Sequence, residues 1–163
     1  MKYIRGCEVK LLDVAQDFYE AYQRCWAPHD SYYVSIPAFS NGFFACELFI
    51  KFILANDNKK ITEHNLSLLF HNLPDDMQEA IKKEYSAEAQ EFLSKYNIAF
   101  DELLGKIATG FEFWRYVFED KNRATETFEK DFPFAYSEGF LQYFLPIISR
   151  IATNINKSDS NID

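Results

Sequence analysis

Residues 31–57 read SYYVSIPAFSNGFFACELFIKFILAND, the most apolar stretch of the chain. Between Ser35 and Ala55 the only charges are Glu47 and Lys51. Ser35 stands two residues before Pro37, and the pair suits the start of a helix running to about Ala55. A helix that is apolar nearly all round belongs in the middle of a bundle. Glu47 and Lys51 lie four apart with the acid on the N-terminal side, the favourable order for an intrahelical pair. On so apolar a helix both charges are costly unless they meet each other or a partner.

Outward from that helix the spacing stays helical. On the N-terminal side, Leu11, Leu12, Ala15, Phe18, Tyr19, Tyr22 and Trp26 recur at threes and fours, predicting a helix from Glu8 to Trp26 that breaks before Pro28. On the other side a polar loop, Asn56 to Lys60, leads to Thr62, which reads as the cap of a short helix from His64 to Asn72, ended by Pro74. Asp75 and Asp76 open a helix to about Tyr85, and Ser86 reads as the cap of another from Ala87 to about Asn97. Phe100, Leu103, Leu104, Ile107, Phe111, Trp114 and Phe118 predict one helix from Phe100 to Asp120, weakened by Gly105 and Gly110. The charged run Lys121 to Asp131 reads as a solvated connection or a frayed helix. Ser137, Phe140, Leu141, Phe144, Leu145, Ile148 and Ile151 stripe a last helix, Pro133 to Ile151, which Pro146 should kink or divide. The expectation is all-α: one up-and-down bundle of five to seven helices over residues 1–153, with a frayed polar tail at 154–163.

The 163 residues are one domain's worth, and five Gly and five Pro are too few for a sandwich of short strands. A net charge of -8 disfavours nucleic-acid binding through bulk charge, so any phosphate contact must come from a few placed cations. Cys7, Cys25 and Cys46 form no CxxC pair and are expected as reduced thiols. No signal-peptide core or uninterrupted apolar span of membrane length is read in the sequence, so the expected location is cytoplasmic, with no membrane partner. His29, His64 and His71 lack the carboxylate spacing of a metal-binding bundle, and no metal or other cofactor is expected. Neither a phosphate loop nor a GxSxG nucleophile motif is present.

One segment stands above this background. Ala45, Glu47 and Lys51 are followed, after a variable loop, by Thr62, Glu63, His64, Asn65 and Leu66, with Leu69 and Leu73 at helical spacing; Arg115 and Tyr116 come later, within FWRYVFED. This order, over residues 40–120, resembles the HEPN superfamily of small helical bundles. The resemblance implies a bundle that often dimerises and often works beside a nucleotidyltransferase, or with another effector, in toxin-antitoxin or defence systems. Many such proteins are metal-independent ribonucleases with an Arg, four to six residues, then His, where His serves as acid or base and Arg stabilises phosphate charge. The late Arg115 has no His at a permitted distance; the one such string here, Arg24 to His29, ends the first predicted helix.

The resemblance therefore implies a divergent, noncatalytic binding or interaction module, self-associating through aromatic-rich helix faces. The alternatives are a metal-independent endoribonuclease using Arg24 and His29, and a small-nucleotide sensor. For the sensor, the ligand-binding candidates are Glu47, Lys51, His64, Arg115 and Tyr116: should Lys51, His64 and Arg115 converge, they form a cationic pocket suited to RNA or nucleotide phosphate. The plainer expectations are a structural Glu47–Lys51 pair, a His64 hydrogen bond to Glu47 or a loop carbonyl, and an Arg115–Glu119 pair within one helix.

Overall fold

A computed structural model describes residues 7–26, 35–57, 59, 62–117 and 132–159. Among the described residues every regular element is a helix. They are α1 (Cys7–Cys25), α2 (Ser35–Asn56), α3 (Leu66–His71), α4 (Asp75–Glu88), α5 (Gln90–Tyr96), α6 (Phe100–Lys106), α7 (Gly110–Arg115) and α8 (Phe132–Asp159). The all-α bundle anticipated from the spacing is the architecture found, with one more helix described than the upper expectation.

The apolar helix lies at the centre. α2 packs against α1, α7 and α8, and its Phe39, Phe43, Phe49, Ile50, Phe52 and Leu54 are almost wholly removed from solvent. Among the described residues α2 alone is long and apolar enough to cross a membrane, yet most of it is covered by its own neighbours. α8 buries the anticipated stripe: Ser137, Phe140, Leu141, Phe144, Leu145 and Ile148 face inward. The aromatics interlock there, with Phe140 stacked on Phe144 at 4.5 Å and Phe43 on Phe140 at 6.2 Å. Trp114 reaches across with its indole N–H to donate to Ser137 Oγ at 2.8 Å.

Several boundaries differ from the sequence expectation, each for a local reason. α3 begins at Leu66, not His64, because Asn65 is its cap: the Asn65 side chain accepts from Leu68 N at 3.1 Å, so Thr62 caps nothing. α4 continues through Ser86 to Glu88 and stops at Ala89; Ser86 is inside the helix and caps no other. α5 ends at Asn97, whose φ of 48° is the left-handed turn that closes a helix.

The predicted Phe100–Asp120 helix is two, α6 and α7, separated by a turn at 107–109. The break lets α7 lie on α2. A Cβ at Gly110 would stand 2.7 Å from the Phe43 ring, so only glycine admits that approach. The turn also presents the Ala108 carbonyl, which accepts from Leu66 N at 2.8 Å and anchors the start of α3.

Pro146 does not divide α8, which runs on to Asp159 and takes in the start of the expected frayed tail. Pro146 and Gln142 are both exposed, so the carbonyl deprived of its helical donor faces water. The charged run 121–131 and Phe118 lie outside the described residues.

Candidate functional site

Among the described residues Glu47 is the buried charge. It sits in the middle of α2 with 2% exposure, between positions occupied by Phe43 and Ile50. One turn on, the Lys51 ammonium donates to Glu47 Oε1 at 2.6 Å. From the segment before α3, His64 brings Nδ1 to the same oxygen at 2.8 Å. Lys51 Nζ and His64 Nδ1 stand 3.5 Å apart, two donors sharing one acceptor. A carboxylate oxygen can only accept, so Nδ1 carries the hydrogen and the neutral ring keeps its lone pair on Nε2.

The other oxygen, Glu47 Oε2, is buried with no hydrogen-bond partner. Burying a carboxylate oxygen unpaired is costly, and the two donors on Oε1 are what offset it. The cluster is graded in exposure: the Glu47 side chain is 3% exposed, Lys51 13% and His64 65%. Thus a residue at the surface closes a charge that lies in the core.

His64 is held from its backbone too. Glu63 Oε1 accepts from His64 N and Asn65 N, each at 2.8 Å, and these bonds, Asn65 first, hold the Glu63 carboxyl below its ordinary range. A group so lowered adds stability that is complete above the ordinary carboxylate pKa and is lost as pH falls through the folded value. Glu63→Gln should therefore be less stable than the parent at pH 7, with the gap closing below about pH 4. Urea midpoints across that range read it; a gap of constant size would contradict the assignment.

The structure brings Lys51 and His64 together on Glu47 but gives Arg115 other company. Its guanidinium lies over the Phe111 ring at 5.6 Å and the Tyr116 ring at 5.3 Å. Gly110, at the start of α7, abuts Phe43, and Trp114, at its end, meets Phe39 at a tilt with ring centroids 4.6 Å apart. α7 therefore runs antiparallel to α2 and carries Arg115 away from Glu47. These contacts do not build a pocket in which Lys51, His64 and Arg115 converge: the first two meet on a carboxylate and the third lies against rings. Glu119 and His29 lie outside the described residues. Arg24 is exposed and paired with Glu20 at 3.2 Å.

A second feature crosses three helices. Phe18 of α1 meets Phe44 of α2 edge-on at 4.6 Å, and Phe44 stacks on Phe111 of α7 at 4.7 Å. All three rings are only partly buried. Val14, one turn before Phe18, is 41% exposed, and Tyr116, beyond Arg115, is 38% exposed. The contacting rings are thus Phe18, Phe44 and Phe111, with exposed Val14 one turn before Phe18 and exposed Tyr116 joined to Phe111 through the Arg115 guanidinium. Val14 was invisible to the sequence reading because it falls off the buried stripe of α1; only the neighbouring rings give it context.

Among the described residues no group of three or more His, Cys, Asp or Glu side chains is placed to hold a metal ion. Cys25 and Cys46 are free thiols, and burial pushes the Cys46 thiol well above its ordinary range. Compared with known proteins, the chain matches no family model, no curated protein and no solved structure.

Proposed function

We propose that the chain is a noncatalytic, HEPN-like interaction module of the cytoplasm that pairs with a second copy of itself, and whose further partner is an effector such as a nucleotidyltransferase in a toxin-antitoxin or defence system. The observation that carries the reading is the open aromatic row from Val14 through Phe18, Phe44 and Phe111 to Tyr116. Charges of both signs border each end: exposed Asp13 and Asp17 flank Val14 and Phe18 with Lys10 one turn before, and exposed Arg115 stands beside Tyr116 with Glu112 one turn before. A two-fold axis near Phe44 can set acids of one copy against cations of the other, the self-complementarity an isologous dimer needs. Partly buried aromatics with a charged rim are also the composition of interface centres. The free thiols of Cys25 and Cys46 suit a reducing compartment.

The Glu47 cluster supports the noncatalytic part. Lys51 and His64 are engaged with a core carboxylate, which favours a structural latch between α2 and the segment before α3 over an open phosphate site. Light scattering at micromolar concentration should give twice the 19.2 kDa of the chain. A strict monomer with no copurifying partner would contradict the reading. Cleavage of labelled RNA in EDTA that disappears in an Arg24→Ala, His29→Ala double variant would instead establish the ribonuclease alternative.

A further inference from the structure

The chain has two described histidines with the same tautomer and different supports. His71 is exposed and sends Nδ1 to the Ser67 carbonyl at 2.7 Å, a neutral acceptor. His64 is 65% exposed and sends Nδ1 to Glu47 Oε1 at 2.8 Å, a carboxylate rooted in the core. In both rings Nε2 is the nitrogen left with a lone pair, and in both it is the corner away from the anchoring bond. They differ in what happens when Nε2 forms a bond. The ring then becomes a cation, and only at His64 does an anion lie against the N–H that must carry this charge.

We propose that His64 Nε2 is a nucleophilic modification site that accepts a phosphoryl group from a small activated donor of the phosphoramidate or acyl-phosphate class. Three features of the cluster favour it. Glu47 has one oxygen with no donor of its own, so its charge is undersatisfied and available to the imidazolium. Lys51 balances Glu47, so the singly anionic donor, phosphoramidate protonated on its nitrogen, meets a cluster with no net negative charge, although Glu63 stands next in the chain with its Oε1 turned to two backbone N–H groups. The ring cannot swing freely, being tied at Nδ1 and through its backbone N–H.

With phosphoramidate the step balances without another reactant. The Nε2 lone pair forms the N–P bond as the donor's P–N bond breaks. Ammonia leaves with that electron pair, already carrying its three hydrogens. The phosphoimidazolium retains its Nδ1 hydrogen toward Glu47.

The test is incubation of the full chain with potassium phosphoramidate at pH 7, with site occupancy followed in time by mass spectrometry of peptides kept at neutral or basic pH. His64 should gain phosphate at an initial rate at least about tenfold that of His71, a conservative share of what an orienting carboxylate contributes in a triad. In Glu47→Gln the ratio should fall toward one while the His71 rate stays as it was, with circular dichroism and a cooperative urea transition showing that the variant is folded. Equal rates at the two histidines in the parent chain would overturn the proposal, and so would a His64 preference that survives Glu47→Gln unchanged.

Discussion

Lys51→Met should lower the free energy of unfolding by about 3 kcal/mol, the cost of breaking a buried ion pair by removing one partner. The variant strands a carboxylate that is 3% exposed, with Oε2 already unpartnered and only His64 left on Oε1. Glu47→Leu should cost less, about 1 to 2 kcal/mol, because the Lys51 stem can carry its head toward solvent once released. The double variant, Glu47→Leu with Lys51→Met, should return to within about 1 kcal/mol of the parent, since an apolar pair of similar volume can replace a buried ion pair without loss. Urea denaturation of the four proteins gives the coupling directly, as a shift in midpoint at constant m-value. Equal stability of Lys51→Met and the parent would show that the carboxylate is not held as an ion by Lys51.

Gly139→Ala should be nearly as damaging, by about 2 kcal/mol, through overpacking. A Cβ there would fall onto the Phe92 ring, which could yield only by leaving its contacts with Tyr96 at 5.0 Å and Tyr136 at 6.5 Å. Shifting α8 to relieve it would also strain the bond from the Tyr85 hydroxyl to the Gly139 carbonyl, 3.2 Å long and buried. Gly105→Ala is the matched contrast. It is exposed in α6 with no atom within 4 Å of the added methyl, so the variant should gain about 0.5 kcal/mol from helix propensity and lost unfolded-state freedom. Thermal melts that placed the two variants on the same side of the parent would contradict this packing.

The central helix was legible because, with only Glu47 and Lys51 charged between Ser35 and Ala55, it needs cover on every side, and its own neighbours supply most of it. α8 was legible from its stripe for the same reason. What local pattern could not carry was any boundary decided by a distant partner. The α6–α7 turn exists because Phe43 needs the room that Gly110 leaves, and because Ala108 must meet Leu66. Asn65 outcompetes Thr62 as cap because Glu63 and His64 are drawn into bonds that keep them outside the helix. Pro146 read as a breaker, yet its missing bond falls on the solvent side of α8, where water replaces it.

The site was legible in part. Glu47 and Lys51 announced a pair by their spacing, and His64 a contact to Glu47 among its plainer options. Arg115 could not be placed from sequence, since its position depends on the direction in which α7 crosses α2. The role of Glu63 was also hidden: an acid next to a histidine looks like a solvated charge until its carboxylate is seen accepting two backbone N–H groups.

The interaction reading rests on the aromatic row, with the Glu47 cluster as internal support, and one light-scattering comparison separates the two. Val14→Asp changes an exposed side chain at the end of the row, where substitution costs the fold within about 0.5 kcal/mol. Glu47→Leu with Lys51→Met changes the cluster and leaves the row intact. At equal micromolar concentration the parent and the double variant should both give the mass of two chains, and Val14→Asp the mass of one. A parent that is monomeric, or a Val14→Asp protein that stays paired while the double variant falls apart, would contradict the assignment of the row as the working surface.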